Sequence, residues 1–251
     1  MLKSMEKLVR IKCTVAYDGS NYYGFQIQPN NPSIQEEIQL ALFKIHKEKI
    51  TIHASGRTDR GVHANNQVFH FDSSLSLTTD QWKKALNSNL PNDIYIKNVE
   101  VVSDEFHSRF SVRAKTYIYI LNTNDFNPIS KDYVYQYNRF LDINKMSCSA
   151  KLFVGTHDFR NFCSNSEDEV RDFIKTIESF DISINDGIIT FKVTGSGFLR
   201  YMVRMMVGTL IEIGSGRKKD DIITSRLDNL INDTISYNAP SEGLYLDKIY
   251  Y

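Results

Sequence analysis

The stretch LRYMVRMMVGTLIEIGSG, residues 199–216, limits the fold more than any other part of the chain. On a helix, Leu199, Met202, Val203, Met206, Val207, Leu210, Ile211 and Ile213 leave almost no polar side, the pattern of a helix covered all round. Such a helix needs other layers large enough to enclose it. The chain has the means. Hydrophobic residues make up 41% of its 251 residues, enough for one large domain or two small ones, and disorder is not the expectation. Arg200 and Arg204 sit four apart on this stretch. A guanidinium on a buried helix must meet an anion or reach solvent along its stem, because an unpaired buried charge is very costly.

The first half reads as strand, helix, strand, strand, helix, strand. RIKCTVAYDG alternates and ends in a turn. PSIQEEIQLALFKIH reads as a helix with a Ser33/Glu36 capping box and an apolar face of Ile34, Ile38, Ala41, Leu42 and Ile45. ITIHASG and NQVFHFD read as strands, TTDQWKKALNSNLP as a helix capped by Thr78 with Gln81, and DIYIKNVEVV as a strand. The second half follows a similar order. AKTYIYIL is a strand, DINKMSCSAKLFVG a helix ending at Gly155, and the two strands around Asn185-Asp186-Gly187 a hairpin. After the long apolar helix come a helix DDIITSRLDNLI and a last strand GLYLDKIYY. The fold class expected is α+β: two ferredoxin-like βαββαβ halves forming one extended, mainly antiparallel sheet with a central cleft. The first half would span residues 1–106 and carry an aspartate loop. The second would span 107–251 and carry strand tyrosines and the arginine helix, with the link near Phe106 to Arg113.

Several function classes drop out. No apolar run approaches the ~20 residues of a membrane span, and the opening MLKSMEKLVRIK has too short an apolar part for a signal peptide. Cys13, Cys148 and Cys163 are far apart and read as reduced thiols of a cytoplasmic protein. The six histidines form no metal-like spacing, so no metal is expected. Thirty basic and thirty acidic residues balance, yet the charges are segregated. Arg200, Arg204, Arg217, Lys218 and Lys219 face only Glu212 between residues 200 and 219, and FHSRFSVRAK holds Arg109, Arg113 and Lys115 without an acid. Acids gather in NSEDEVRD and DDIITSRLDNLIND. Local charge governs phosphate binding, so RNA stays open as a partner.

The chemistry concentrates in ASGRTDRGVHA, where Asp59 stands between Arg57 and Arg60, bracketed by Gly56 and Gly61. A turn aspartate ordinarily caps a helix or forms an Asx-turn. Flanking arginines would instead hold it ionised, which suits a nucleophile or base working on a polyanion. Tyr117, Tyr119 and Lys115 share one face of KTYIYI. A tyrosine there is either ordinary strand core or a surface for an unstacked base. Phe198 and Leu244 are candidates to line the same pocket.

Seven blocks in order, YDGSNYYGFQIQ, GRTDRGVHANNQVFHF, NLPNDI, FHSRFSVRAKTYIY, GTHDFRNF, GSGFLRYMVRMMVGTL and APSEGLYL, span nearly the whole chain. In them the chain resembles the TruA family of tRNA pseudouridine synthases. Phe25 stands where that family usually has Trp, an aromatic exchange in a support position. The resemblance implies that Asp59 is the catalytic aspartate, that Arg204 is the arginine paired with it, and that Tyr117 stacks on the target base. It also implies that Arg57 engages RNA and that Leu244 packs near the base; Arg60, Arg200 and Phe198 join the substrate-binding set. It implies a homodimer without cofactor or metal, acting on uridines 38 to 40 of the tRNA anticodon stem-loop. Two other readings compete: an inactive RNA-binding module of the same fold, and a nucleoside or glycoside hydrolase. The first has no use for an acid in a basic groove; the second generally needs two carboxylates or a metal.

Overall fold

A computed structural model describes residues 8–166, 168, 172–228 and 237–251. The end of the expected helix at residues 229–231, part of the acidic stretch at 165–172 and residues 1–7 lie outside the described residues. The chain forms two compact units, Met1–Arg113 with Asp247–Tyr251, and Ala114–Leu246.

The first unit runs β1 (Val9–Tyr17), α1 (Ile34–His46), β2 (His53–Ala54), β3 (His63–Ser73), α2 (Thr79–Asn87) and β4 (Ile94–Val102). Its strands are antiparallel in the order β4-β1-β3, with β2 on β3. Cys13 of β1 lies opposite Phe69 of β3 and Val99 of β4. The two-residue period sends Ile11, Cys13, Val15 and Tyr17 to the buried face and leaves Arg10, Lys12 and Thr14 half-buried on the other. Ser33 caps α1 by accepting from Glu36 N–H, and Thr78 with Gln81 completes a capping box on α2. Ile34, Ile38, Ala41 and Leu42 are fully buried, and Trp82 of α2 stacks 5.3 Å from His46.

The second unit contains β5 (Ala114–Asn122), β6 (Tyr135–Gln136), α3 (Ile143–Ala150), β7 (Gly155–Asp158), β8 (Ile174–Asn185), β9 (Ile188–Gly195), α4 (Met202–Gly214) and α5 (Asp221–Leu227). Strands β5-β9-β8-β7 are antiparallel neighbours, and the short β6 lies parallel to β5. β10 (Leu244–Tyr250) is the last strand. The β8–β9 hairpin turns on Asp186 and Gly187, both at positive φ, the primed geometry that matches strand twist. Eleven of the thirteen residues of α4 are buried, as its apolar circumference requires. Each Met, Leu or Ile so covered contributes ~1.5–3 kcal/mol.

Two expectations need correction. Gly155 does not end a helix. α3 stops at Ala150, a 3-10 turn follows over Lys151–Phe153, and Gly155, at φ 118°, opens strand β7. Arg200 does not lie on the long helix. Tyr201 adopts a left-handed conformation (φ 63°) as its N-cap, so Arg200 is an exposed residue of the preceding loop and only Arg204 is helical.

Candidate active site

In the first unit the backbone on both sides of Asp59 is held from a single direction, by the segment between β1 and α1. Thr58 carbonyl accepts from Phe25 N–H at 3.1 Å, and Gly61 N–H donates to Tyr22 carbonyl at 3.3 Å. The loop closes on itself where Val62 N–H donates to Asp59 carbonyl at 3.2 Å. Gly24 permits this approach: its φ is +98°, and a Cβ there would lie 2.7 Å from Thr58 carbonyl oxygen. Side chains complete the hold. Tyr17 hydroxyl and Thr58 Oγ1 are 2.8 Å apart in a buried contact, and buried Gln67 donates to Gly56 carbonyl at 3.0 Å while accepting from Ser55 Oγ. Burial pushes the Tyr17 phenol up, so it stays a neutral hydrogen-bonding group. Phe25 is buried with its ring 6.2 Å from that of Tyr17, a support position as expected.

With Thr58 and Val62 buried, Asp59 is left half-buried and Arg57 and Arg60 are exposed on either side. Arg60 places its guanidinium 4.1 Å from the centre of the Tyr23 ring, a cation–π contact that fixes its direction. Of the two bracketing glycines, only Gly61 uses the left-handed region, at φ 75°. The loop therefore presents one carboxylate and two basic groups on a backbone that has little freedom to move.

The second unit positions its own candidates. Tyr117 lies on β5 opposite Val193 of β9, buried except for a 9% remnant, with the edge of its ring against Phe198 at 5.1 Å and 81°. Tyr119, on the same strand face, is wholly buried and donates its hydroxyl to Pro240 carbonyl at 2.9 Å, so it is core. Arg204 enters from the first turn of α4. Its Nε donates to Ala239 carbonyl at 2.6 Å, its own carbonyl accepts from Ala239 N–H at 3.0 Å, and its guanidinium lies 5.0 Å from the Tyr201 ring. The close seat depends on Gly208, where a Cβ would fall 1.9 Å from Tyr237 carbonyl oxygen. Leu244 is buried at the start of β10. Arg200 is exposed, its guanidinium 5.1 Å from the Tyr201 ring and its N–H bound to Asn165 Oδ1. Arg217 forms a bidentate pair with Glu212, at 2.8 and 2.6 Å, so this part of the basic segment neutralises itself.

Reasoning from sequence missed the holding segment of residues 18–25 and the brace Gln67. The signal was present in YDGSNYYGF: two glycines five apart, next to aromatic residues, mark a backbone that something must approach closely. Among the described residues no His, Cys, Asp or Glu cluster could hold a metal ion, and no helix is long and apolar enough to cross a membrane.

The sequence pattern of the family described as tRNA pseudouridine synthase matches residues 14–111 and 149–251. The chain belongs to this family, whose members are isomerases acting on tRNA. Among its relatives, the tRNA pseudouridine synthase A of Geobacillus sp. (strain WCH70) is 45% identical over 244 residues, 96% of this chain and 98% of that one. The tRNA pseudouridine synthase A 1 of Bacillus cereus (strain ATCC 14579) is likewise 45% identical over 244 residues, with the same coverage. The tRNA pseudouridine synthase A of Staphylococcus aureus (strain MRSA252) is 42% identical over 243 residues, 96% of this chain and 92% of that one. Among solved structures, a chain of a Cbf5-Nop10-Gar1 complex is similar at a TM-score of 0.33 and 12% identity, over 80% of this chain and 54% of that one.

Proposed function

We propose that this protein isomerises uridine to pseudouridine at positions 38, 39 and 40 of the tRNA anticodon stem-loop, with Asp59 as the reacting carboxylate. The observation that carries the reading is the clamped loop, which presents a half-buried acid between two exposed arginines. The reaction breaks the N1–C1′ bond of uridine, turns the uracil and joins its C5 to C1′; the proton on C5 is lost and N1 gains one. Composition and oxidation state do not change, so neither cofactor nor metal is assigned. Asp59 acts either as a nucleophile at C1′ or as a base at the sugar 2′ position. Both routes need the acid ionised at a nucleotide drawn out of its stack.

Tyr117 supplies a ring for the extruded base, with Phe198 supporting it and Leu244 packing nearby. Arg204 is the cation that keeps the carboxylate ionised, and Arg57, Arg60 and Arg200 meet phosphates. The chain is read as two ferredoxin-like halves, residues 1–106 and residues 107–251. The strand order β4-β1-β3-β2 of the first supports this. The working form is a cytoplasmic homodimer.

The test compares the unaltered chain with Asp59→Asn on unmodified tRNA transcripts in EDTA, mapping pseudouridine by position and measuring tRNA affinity. An amide makes the same Asx-turn but neither attacks C1′ nor takes a proton. Pseudouridine at 38–40 is expected from the unaltered chain and background yield from Asp59→Asn. Affinity should be equal or tighter, because a negative charge has left a surface that meets phosphates. Full turnover by Asp59→Asn would make the aspartate structural. Binding without turnover by both proteins would make this an RNA-binding module.

A further inference from the structure

The connection that follows β4 is more rigidly built than a surface loop needs to be. Ser108 is wholly buried and engaged at every polar atom: its N–H donates to His70 Nδ1 at 3.2 Å, its hydroxyl to the His53 carbonyl, and its carbonyl accepts from Tyr251 hydroxyl at 2.9 Å. One residue earlier, His107 carbonyl accepts from Ser111 N–H at 2.9 Å. His107 Nδ1 accepts from the N–H groups of Arg109 and Phe110 at 3.1 and 3.4 Å. This fixed turn nevertheless holds a large apolar side chain out in water: Phe110 is 77% exposed.

The surroundings of that ring are specific. Phe110 lies 4.3 Å from the His107 ring, tilted by 33°, and His107 lies 5.5 Å from His53, so the exposed ring ends a short aromatic stack. The exposed Arg109 sets its guanidinium 5.8 Å from the Phe110 ring. Between residues 106 and 115 there are Arg109, Arg113 and Lys115 and no acid. A rigid exposed ring loses little conformational freedom when something stacks on it, and a cation beside it suits a ligand that is aromatic and anionic at once. An unpaired nucleotide has both properties.

We propose that Phe110, with Arg109, is a second RNA contact of this protein, a stacking platform for an unpaired nucleotide of the tRNA other than the uridine that reacts. This rests on the reading that the protein acts on tRNA. The experiment measures the affinity of an unmodified tRNA transcript, and of a fully paired RNA duplex, for the unaltered chain, Phe110→Leu, Phe110→Tyr and Arg109→Gln. Phe110→Leu keeps an apolar side chain but loses the flat face, and should weaken tRNA binding about tenfold, whereas Phe110→Tyr should stay within about twofold. Duplex affinity should be the same for the unaltered chain and both Phe110 variants, since a paired base offers no face. Arg109→Gln should weaken both RNAs and flatten the salt dependence. With Phe110 so exposed, none of the variants should change the melting temperature.

Equal tRNA affinity for Phe110→Leu and the unaltered chain overturns the proposal. So does an equal loss on the duplex, or a change in oligomeric state with tRNA affinity intact, which would make the ring a contact between copies. Pseudouridine yield from the unaltered chain, scored on the same transcripts, tests the enzymatic reading separately: its absence overturns that reading whatever the binding data show.

Discussion

The Asp59 loop and the start of α4 deliver Asp59 and Arg204 to the surface of their own units by opposite means. The loop has little apolar content of its own. It is positioned by polar contacts from Phe25, Tyr22, Tyr17 and Gln67 and by the missing side chain of Gly24. Arg204 stands on a helix whose position is set by burial of eleven residues, and only its last few ångströms are steered, by the Ala239 carbonyl and the Tyr201 ring. A polar scaffold can lose its geometry locally while the core stays intact. A helix anchored in the core cannot shift without disturbing the unit that surrounds it.

Removing the delivered charges is the strongest way to probe this contrast. After Asp59→Asn, the largest further loss is expected from Arg204→Met, about 10²–10³-fold in turnover at saturating tRNA, the scale of losing one preorganised charge-stabilising group. Its melting temperature should change little, because the buried part of α4 is untouched. Activity recorded against pH should separate it from Asp59→Asn: with its proposed cation gone the acid holds its proton to higher pH, so residual turnover should rise with pH. A flat profile with full activity would remove Arg204 from the mechanism.

Next come two glycine substitutions that probe the scaffolds themselves. Gly24→Ala forces a Cβ toward Thr58 carbonyl and a residue at φ +98°, so the Asp59 loop must move. A displacement of about 1 Å can cost ~10²-fold in rate, and the melting temperature should fall by no more than a few degrees. Gly208→Ala drives a Cβ to within 1.9 Å of Tyr237 carbonyl oxygen. Overpacking of this kind typically costs ~1–3 kcal/mol, occasionally more, so stability and activity should fall together. Gly216→Ala is the control: its φ is +76° but nothing lies within 4 Å, so backbone strain alone should appear and activity should remain. Equal melting temperatures for Gly24→Ala and Gly208→Ala would break the contrast drawn above.

A smaller effect is expected at Tyr117. Tyr117→Ala should reduce turnover by about tenfold or more and Tyr117→Phe by less, because base–aromatic stacking is worth ~1–3 kcal/mol and survives in phenylalanine. Full activity in both would leave Tyr117 as core beneath Phe198.

The smallest expected effect is on stability and lies in the first unit alone. Burial, then the Arg10 charge, pushes the His70 imidazole down from 6.5 to about 4. The folded protein keeps it neutral, whereas the unfolded chain protonates it below pH 6.5. The unfolded state thus binds more protons, so this contribution to stability is complete above pH 6.5 and is lost as pH falls toward 4. Melting temperature should drop by about a few degrees between pH 7 and 5, and His70→Gln should flatten that slope.

Much of this molecule was legible from order and periodicity. The strand alternation of β1, the capped starts of α1 and α2, the Asp-Gly hairpin and the all-round burial of α4 are local consequences of residue type and spacing. The Asp59 loop stood out because an acid between two arginines and two glycines is chemically unusual. Other features depend on residues distant along the chain and leave no periodic trace. Arg200 read as helical until Tyr201 proved to be the left-handed cap, since capping depends on what the loop before it must reach. β6 and β7 are too short to show a pattern, and they exist because the end of β5, at Leu121 and Asn122, and the start of β8 offer backbone groups to pair with. That Gly24 lies against Thr58, that Gln67 braces Gly56 and that Phe110 is held out in solvent were decided only by tertiary structure. Sequence alone determined which groups were available for chemistry, because charge, ring and hydroxyl belong to residue type. Where those groups stand was decided by hydrogen bonds and close contacts between segments far apart along the chain, such as Gly19 N–H to His63 Nδ1, 44 residues away and beside the loop, which no local periodicity encodes.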